Sequence, residues 1–209
     1  MKIKKTIIGM VMAAVSVTTV LAANPPALLQ AYPVEPLNTA EQDAIMYMLE
    51  EEKVARDAYL ALGAMWDTPI FTNIAKAEQV HMDRVAELVE RYALPVPATM
   101  EMPGVFENED LQGLYDMLVE QGSESYGTAL QVGVTIEETD IADLRESLLV
   151  VDNADIRAVF ERLLAGSENH LAAFLRQLDS GSSGTGRGAR VNGRVGGRGA
   201  TVGGHRNRR

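Results

Sequence analysis

The feature that most constrains this chain is a conflict inside its helical periodicity. Between residues 38 and 178 apolar side chains recur at three- and four-residue spacing, and each long run carries an ionisable group on that same stripe. In the first run Asn38-Thr39 with Gln42 resembles a capping box. Ile45, Met48, Leu49, Ala55, Tyr59 and Leu62 then form the stripe, and Glu52 lies on it. The second run, about 70–92, places Ile74, Ala77, Val85, Leu88 and Val89 on one face with Glu78 and His81. A short helix is expected over about 108–121. A long one over about 124–149 has Glu137 on its stripe and Asp140 beside it. The last, about 153–178, turns Ile156, Val159, Phe160, Leu163, Leu171, Phe174 and Leu178 inward together with Ser167 and His170.

Sustained strand alternation and Asn-Gly hairpin turns are absent. Short links join the first two long helices and the last two. A proline-bearing link with its own short helix joins the pairs. The expected fold is therefore all-α, a four-helix bundle over 38–178 with one long crossover, which is a ferritin-like topology.

The ends differ from this body. Lys2, Lys4 and Lys5 precede an uncharged apolar run, Thr6 to Leu21, and then Ala22-Ala23. That order reads as a secretory signal peptide over 1–23, which implies a periplasmic or secreted protein; an uncleaved anchor is the alternative. Residues 24–37 read as a linker. Residues 24–179 hold all 29 acidic side chains against nine basic ones, whereas 180–209 hold seven arginines and no acid. The segment 179–209 is rich in Gly and Arg and is expected to be disordered. It either solubilises the protein or contacts anionic polymer or an envelope surface.

Composition narrows the chemistry. The chain has no cysteine, which excludes thiolate zinc sites, iron–sulfur clusters, disulfides and cysteine nucleophiles. Aromatic residues make up only 5%, which argues against a base-stacking surface, and no specific nucleic-acid partner is expected. No Gly-rich phosphate loop or Ser–His–Asp order stands out, and His205 belongs to the tail. Any metal must be held by His, Asp and Glu.

An ionised carboxylate in a bundle core is costly unless it is paired or bound to a cation. Three carboxylates, Glu52, Glu78 and Glu137, and two imidazoles, His81 and His170, meeting in one interior would be reconciled by a divalent metal pair. Glu78-x-x-His81 sets two ligands on one helical face, as di-iron bundles do. Oxygen-rich donors with two imidazoles suit iron or manganese. Each residue also has a plainer reading. Glu50-Glu51-Glu52 with Lys53, and Glu137-Glu138, read equally as solvated faces. Asp140 reads as a surface partner of Arg145, and His170 as a core histidine bonded to Ser167.

Four stretches carry a resemblance. These are Glu50-Glu-Glu-Lys-Val-Ala-Arg-Asp-Ala-Tyr59, Asn73-Ile-Ala-Lys-Ala-Glu-Gln-Val-His-Met82, Ile136-Glu-Glu-Thr-Asp-Ile-Ala-Asp-Leu144 and Gly166-Ser-Glu-Asn-His-Leu-Ala-Ala-Phe174. In this order they resemble the bacterial and archaeal family called domain of unknown function 2202. The first two also resemble rubrerythrin-like proteins. The resemblance implies a ferritin-like fold and a dinuclear iron or manganese centre, with Glu52, Glu78, His81, Glu137, Asp140 and His170 as ligands. Ser167-x-x-His170 departs from the usual Glu-x-x-His; Asp140 is a candidate replacement, and a mononuclear site is the alternative.

Two functions follow as expectations. The first is an oxidoreductase acting on O₂ or peroxide: ferrous-iron oxidation, or peroxide removal. Disproportionation at two manganese ions would need no outside reductant, which suits a cysteine-free exported protein. Tyr59 would supply an electron or a hydrogen bond, unless it is simply a core aromatic. The second is a non-catalytic envelope metal-binding or scavenging protein. A second copy of the chain, as a homodimer, is a further expected partner.

Overall fold

The computed structural model describes residues 28–184. Among them lie one 3₁₀ turn, Leu29–Ala31, five α-helices and no strand: α1 Thr39–Trp66, α2 Pro69–Arg91, α3 Glu109–Gly122, α4 Tyr126–Val150 and α5 Ala154–Gly184. The expected signal peptide and residues 185–209 of the tail lie outside the described residues. No described helix is long and apolar enough to cross a membrane.

Local chemistry explains the helix starts. The Asn38 side chain accepts from the Glu41 amide, and the Glu41 carboxylate accepts from the Asn38 amide. The capping box therefore uses Glu41, not the expected Gln42, because a cap reaches the third helical residue. Glu41 does more than cap. Its other oxygen accepts from the amides of Asp152 and Asn153, tying the start of α1 to the α4–α5 turn. Pro69 opens α2, where a missing amide hydrogen costs nothing. Asn108 and Ser125 cap α3 and α4.

Helix α1 packs along α2, and α4 along α5; α1 also meets α4, and α2 meets α5. Each long helix thus has two long neighbours, and the short α3 lies against α1 and α4. Two apolar clusters fill the interior. One gathers Tyr59, Leu62, Phe71, Leu130, Val134 and Phe174; the other gathers Ile45, Leu49, Val85, Leu88, Ile156 and Phe160. The ionisable stripe residues lie between them along the helix axes.

Two segments differ from expectation. The stretch 24–37 is not only a linker, because Leu29 is fully buried in the second cluster and Arg91 donates to the Tyr32 carbonyl. Helix α5 runs on to Gly184, so residues 179–184 are helical where tail was expected.

The run Glu50–Lys53 is also not a solvated face: all four residues are buried. Glu50 accepts from the amides of Glu107 and Asn108 at the end of the crossover. The Lys53 ammonium donates to Asp57 at 2.8 Å and to the carbonyls of Met102 and Val105 at 2.8 and 3.0 Å. It also sits 4.0 Å from the Phe106 ring centroid. Gly104 completes this anchor with its amide on Asp57. Its φ of 71° and the Tyr115 ring against its α-carbon leave no room for a side chain. Replacing Lys53 with Met keeps the apolar stem but leaves two carbonyls without their donor and the buried Asp57 carboxylate with only Arg56 and the Gly104 amide. We expect a loss of roughly 3 kcal/mol in urea unfolding. A change within experimental error would show that the crossover is held by its apolar contacts alone.

Candidate metal centre

The six predicted residues converge. From α2, Glu78 is the hub. One of its oxygens lies 2.8 Å from His81 Nδ1 one turn on, and the other lies 2.8 Å from His170 Nδ1 on α5. From α1, Glu52 Oε2 stands 3.2 Å from His81 Nδ1. From α4, Glu137 Oε2 stands 3.6 Å from His170 Nδ1. The two imidazole rings stack with centroids 5.4 Å apart. Asp140, one turn after Glu137, is buried and acts electrostatically on Glu52 and both histidines. Each long helix thus contributes at least one group. The plainer readings of Asp140 and His170 do not hold. Arg145 pairs with Glu168, and the Ser167 hydroxyl donates to the Leu163 carbonyl.

The polar atoms of this cluster do not satisfy one another. Glu52 Oε1, Glu78 Oε1, Asp140 Oδ1 and His170 Nδ1 are buried without a hydrogen-bond partner. His170 Nδ1 and Glu78 Oε1 are close but not aligned as donor and acceptor. Buried polar atoms are ordinarily paired, so such a concentration of orphans needs a physical reason. Donor atoms that share one cation at about 2.1 Å stand roughly 3 Å apart and point at a common centre rather than at each other. The spacing and the misalignment both fit that arrangement.

The electrostatics describe a site charged with protons. Burial drives the Glu52 carboxyl well above the ordinary range, with Asp140 and Glu78 adding to the rise. Burial likewise raises Glu137 and Asp140 to about 7. At Glu78 burial pushes the same way, but the two imidazoles overcome it and hold its pKa down at about 2. Burial opposes charge on the histidines. The carboxylates beside them win, raising His81 above its usual value and His170 to about 9. Without a metal, the Glu78 carboxylate faces a protonated His170 and a His81 whose charged form is favoured, Glu52 holds its proton, and Glu137 and Asp140 are partly protonated near pH 7. A cation would displace these protons.

Tyr59 is fully buried among Phe71 and Phe174 and donates to Glu137 Oε1 at 2.6 Å. It is a core aromatic and also positions a carboxylate. Two participants escaped the sequence reading. Glu51 is buried next to Glu52, and neither of its oxygens has a hydrogen-bond partner. The signal was present: Glu51 follows Met48 by three residues and precedes Ala55 by four, which puts it on the inner face. Gly166 on α5 is the other. A β-carbon there would overlap the His81 ring, with 2.6 Å to Cε1. The absence of a side chain lets that ring fit between α2 and α5. Gly166→Ala should displace His81 and weaken Mn²⁺ binding by about 10–100-fold, the scale seen when a ligand loses its orienting neighbours. Unchanged affinity in titration calorimetry would mean that His81 is not held by this contact.

Residues 41–186 match the model of the family described as an uncharacterized protein domain, DUF2202. The uncharacterized protein MJ0754 of Methanocaldococcus jannaschii is 45% identical over 152 residues, 73% of this chain and 82% of that protein. The crystal structure of hypothetical protein MJ0754 from Methanococcus jannaschii superposes with a TM-score of 0.71 at 46% identity, covering 72% of this chain and 86% of the other. A match over most of the described helices, joined by a relative of this similarity, places the chain in the DUF2202 family.

Proposed function

We propose that this protein is a ferritin-like four-helix bundle that binds a dinuclear iron or manganese centre and acts as an oxidoreductase on O₂ or peroxide. The observation that carries the reading is the set of buried, unpartnered donor atoms contributed by all four long helices. Glu52, Glu78, His81, Glu137, Asp140 and His170 would hold the metal. Glu78, with an oxygen toward each imidazole, would hold metal together with both histidines. Asp140 lies against the Ser167 hydroxyl and supplies the carboxylate that Ser167 does not. When bound, the metal pair would supply one-electron chemistry toward oxygen species.

The chain's own residues account for the rest. Tyr59 fixes the rotamer of Glu137 through its short hydrogen bond, and Gly166 admits the His81 ring. The apolar clusters flank the site along the helix axes, and only the edges of the two histidines keep some solvent exposure. The reading of residues 1–23 as an export signal places this activity in the periplasm or outside the cell.

Elemental analysis of the purified protein, followed by O₂ and peroxide consumption after Fe²⁺ or Mn²⁺ loading, tests the proposal. Near-stoichiometric metal with turnover is the expected result. Bound metal without turnover would favour a scavenging protein. Failure to take up either ion would overturn both readings.

A further inference from the structure

The six converging residues leave Glu51 unexplained. Its carboxyl is nine-tenths buried, and both oxygens lack a hydrogen-bond partner. It lines a cavity of about 20 Å³ with Val54 and Ala55 from α1, Leu114 and Leu118 from α3, and Ile136 and Asp140 from α4. That volume admits one water-sized occupant. The only carboxyl groups on its wall are Glu51 and Asp140, and Asp140 also presents an unpartnered oxygen. An apolar cavity is normally dry. One with two orphaned carboxyl groups on its wall is built for a polar or charged occupant.

The cavity does not stand alone. Glu51 feels Asp140 and Glu52, and the Asp143 carboxyl lies within side-chain reach of it, though without the alignment of a hydrogen bond. Asp143 accepts a hydrogen bond from the Tyr47 hydroxyl at 3.3 Å. Tyr47 and Asp143 in turn line a surface pocket with Asp43 and Glu146. Carboxyl groups therefore run from the α1–α4 surface, through Glu51, to Asp140 and the core cluster. No basic side chain lines either the pocket or the cavity. A negative surface funnel raises the local cation concentration and speeds entry.

We propose that Glu51 and Asp140 form a transit position for a divalent cation, which passes ions from the Asp43–Asp143–Glu146 pocket to the metal centre. This inference rests on the metal-binding reading above and adds the path and the residue that serves it. Glu51 is not a member of the six-residue donor set, so neutralising it should slow loading without emptying the centre.

The test uses the full chain and Mn²⁺ alone. Stopped-flow mixing with a metallochromic indicator gives the loading rate, and elemental analysis after gel filtration gives the content at equilibrium. Glu51→Gln is nearly isosteric and removes the carboxylate that would bind a cation, and a thermal midpoint close to the parent's shows that the fold is intact. We expect loading roughly tenfold slower, with the final content unchanged. Asp143→Asn, nearer the surface, should slow loading by a smaller factor. Raising the ionic strength should slow the parent more than Glu51→Gln. Equal loading rates for parent and Glu51→Gln would overturn the transit path. A parent that takes up no Mn²⁺ would instead overturn the metal-binding reading itself.

Discussion

Replacing Glu78 and His81 together with alanine is expected to abolish metal loading while the far-ultraviolet helical signal persists. Glu78 touches both imidazoles, and His81 is the meeting point of Glu78 and Glu52, so the double change removes the contacts of α2 with both α1 and α5 at once. Loss of outer-shell partners alone costs metal sites about 10–100-fold in affinity, so loss of two ligands should exceed roughly 100-fold. The helices should survive because the two apolar clusters lie to either side of the site and neither contains Glu78 or His81. Mn²⁺ binding by equilibrium dialysis, with circular dichroism on the same samples, checks both halves. A double variant that binds Mn²⁺ as the parent does would remove these residues from the site.

The second large effect is on stability without metal. Glu137 and Asp140 carry pKa values raised to about 7, so the fold favours their protonated forms. That contribution is complete below the ordinary carboxylate range and is lost as pH rises through about 7. His170, raised to about 9, contributes fully below its ordinary value near 6.5 and loses that contribution as pH rises through about 9. His81 shifts in the same direction. Glu78 acts oppositely, but its depressed pKa of about 2 matters only as pH falls below the ordinary carboxylate range. Metal-free protein should therefore be more stable at pH 5.5 than at pH 8.5, by about 5–10 °C in thermal midpoint. Added Mn²⁺ should reverse the order, because the cation replaces the protons that the site holds at low pH. A Glu137→Gln/Asp140→Asn variant should flatten the metal-free slope. A midpoint that rises from pH 5.5 to 8.5 in the absence of metal would contradict this charge assignment.

Much of the helical layout was legible in local chemistry. Caps, glycines, prolines and the three-four periodicity placed five helices to within a few residues over most of their ends, because those signals act within one turn. The six clustered ionisable residues were legible for a related reason. A carboxylate on an apolar stripe contradicts its surroundings, and its residue number alone reveals the contradiction. What stayed hidden depends on segments distant in the chain. Lys53 reads as the basic end of an acidic run, and only the returning crossover, some 50 residues later, supplies the carbonyls that bury it. Glu50 is buried for the same reason, by the amides of Glu107 and Asn108. Gly166 reads as an unremarkable small residue until the His81 ring is placed over it from another helix. The capping partner Glu41 was missed by one position, and its second role in the α4–α5 turn lies 111 residues away in sequence.

The departure at Ser167 also gains a physical account. Ser167 is buried within side-chain reach of Asp140, so a Glu there would bring a second carboxyl against Asp140. Ser167 and Asp140 thus read as one coupled choice. Exchanging only one of them would either crowd two carboxyls together or leave none.

The most direct measurement is anomalous diffraction at the manganese edge from crystals of the full chain grown with Mn²⁺. The account predicts density peaks enclosed by Glu52, Glu78, His81, Glu137, Asp140 and His170, with Glu78 between the imidazoles. Crystals in which that interior holds no anomalous peak, or in which Glu52 or Glu137 turns outward to solvent, would contradict it.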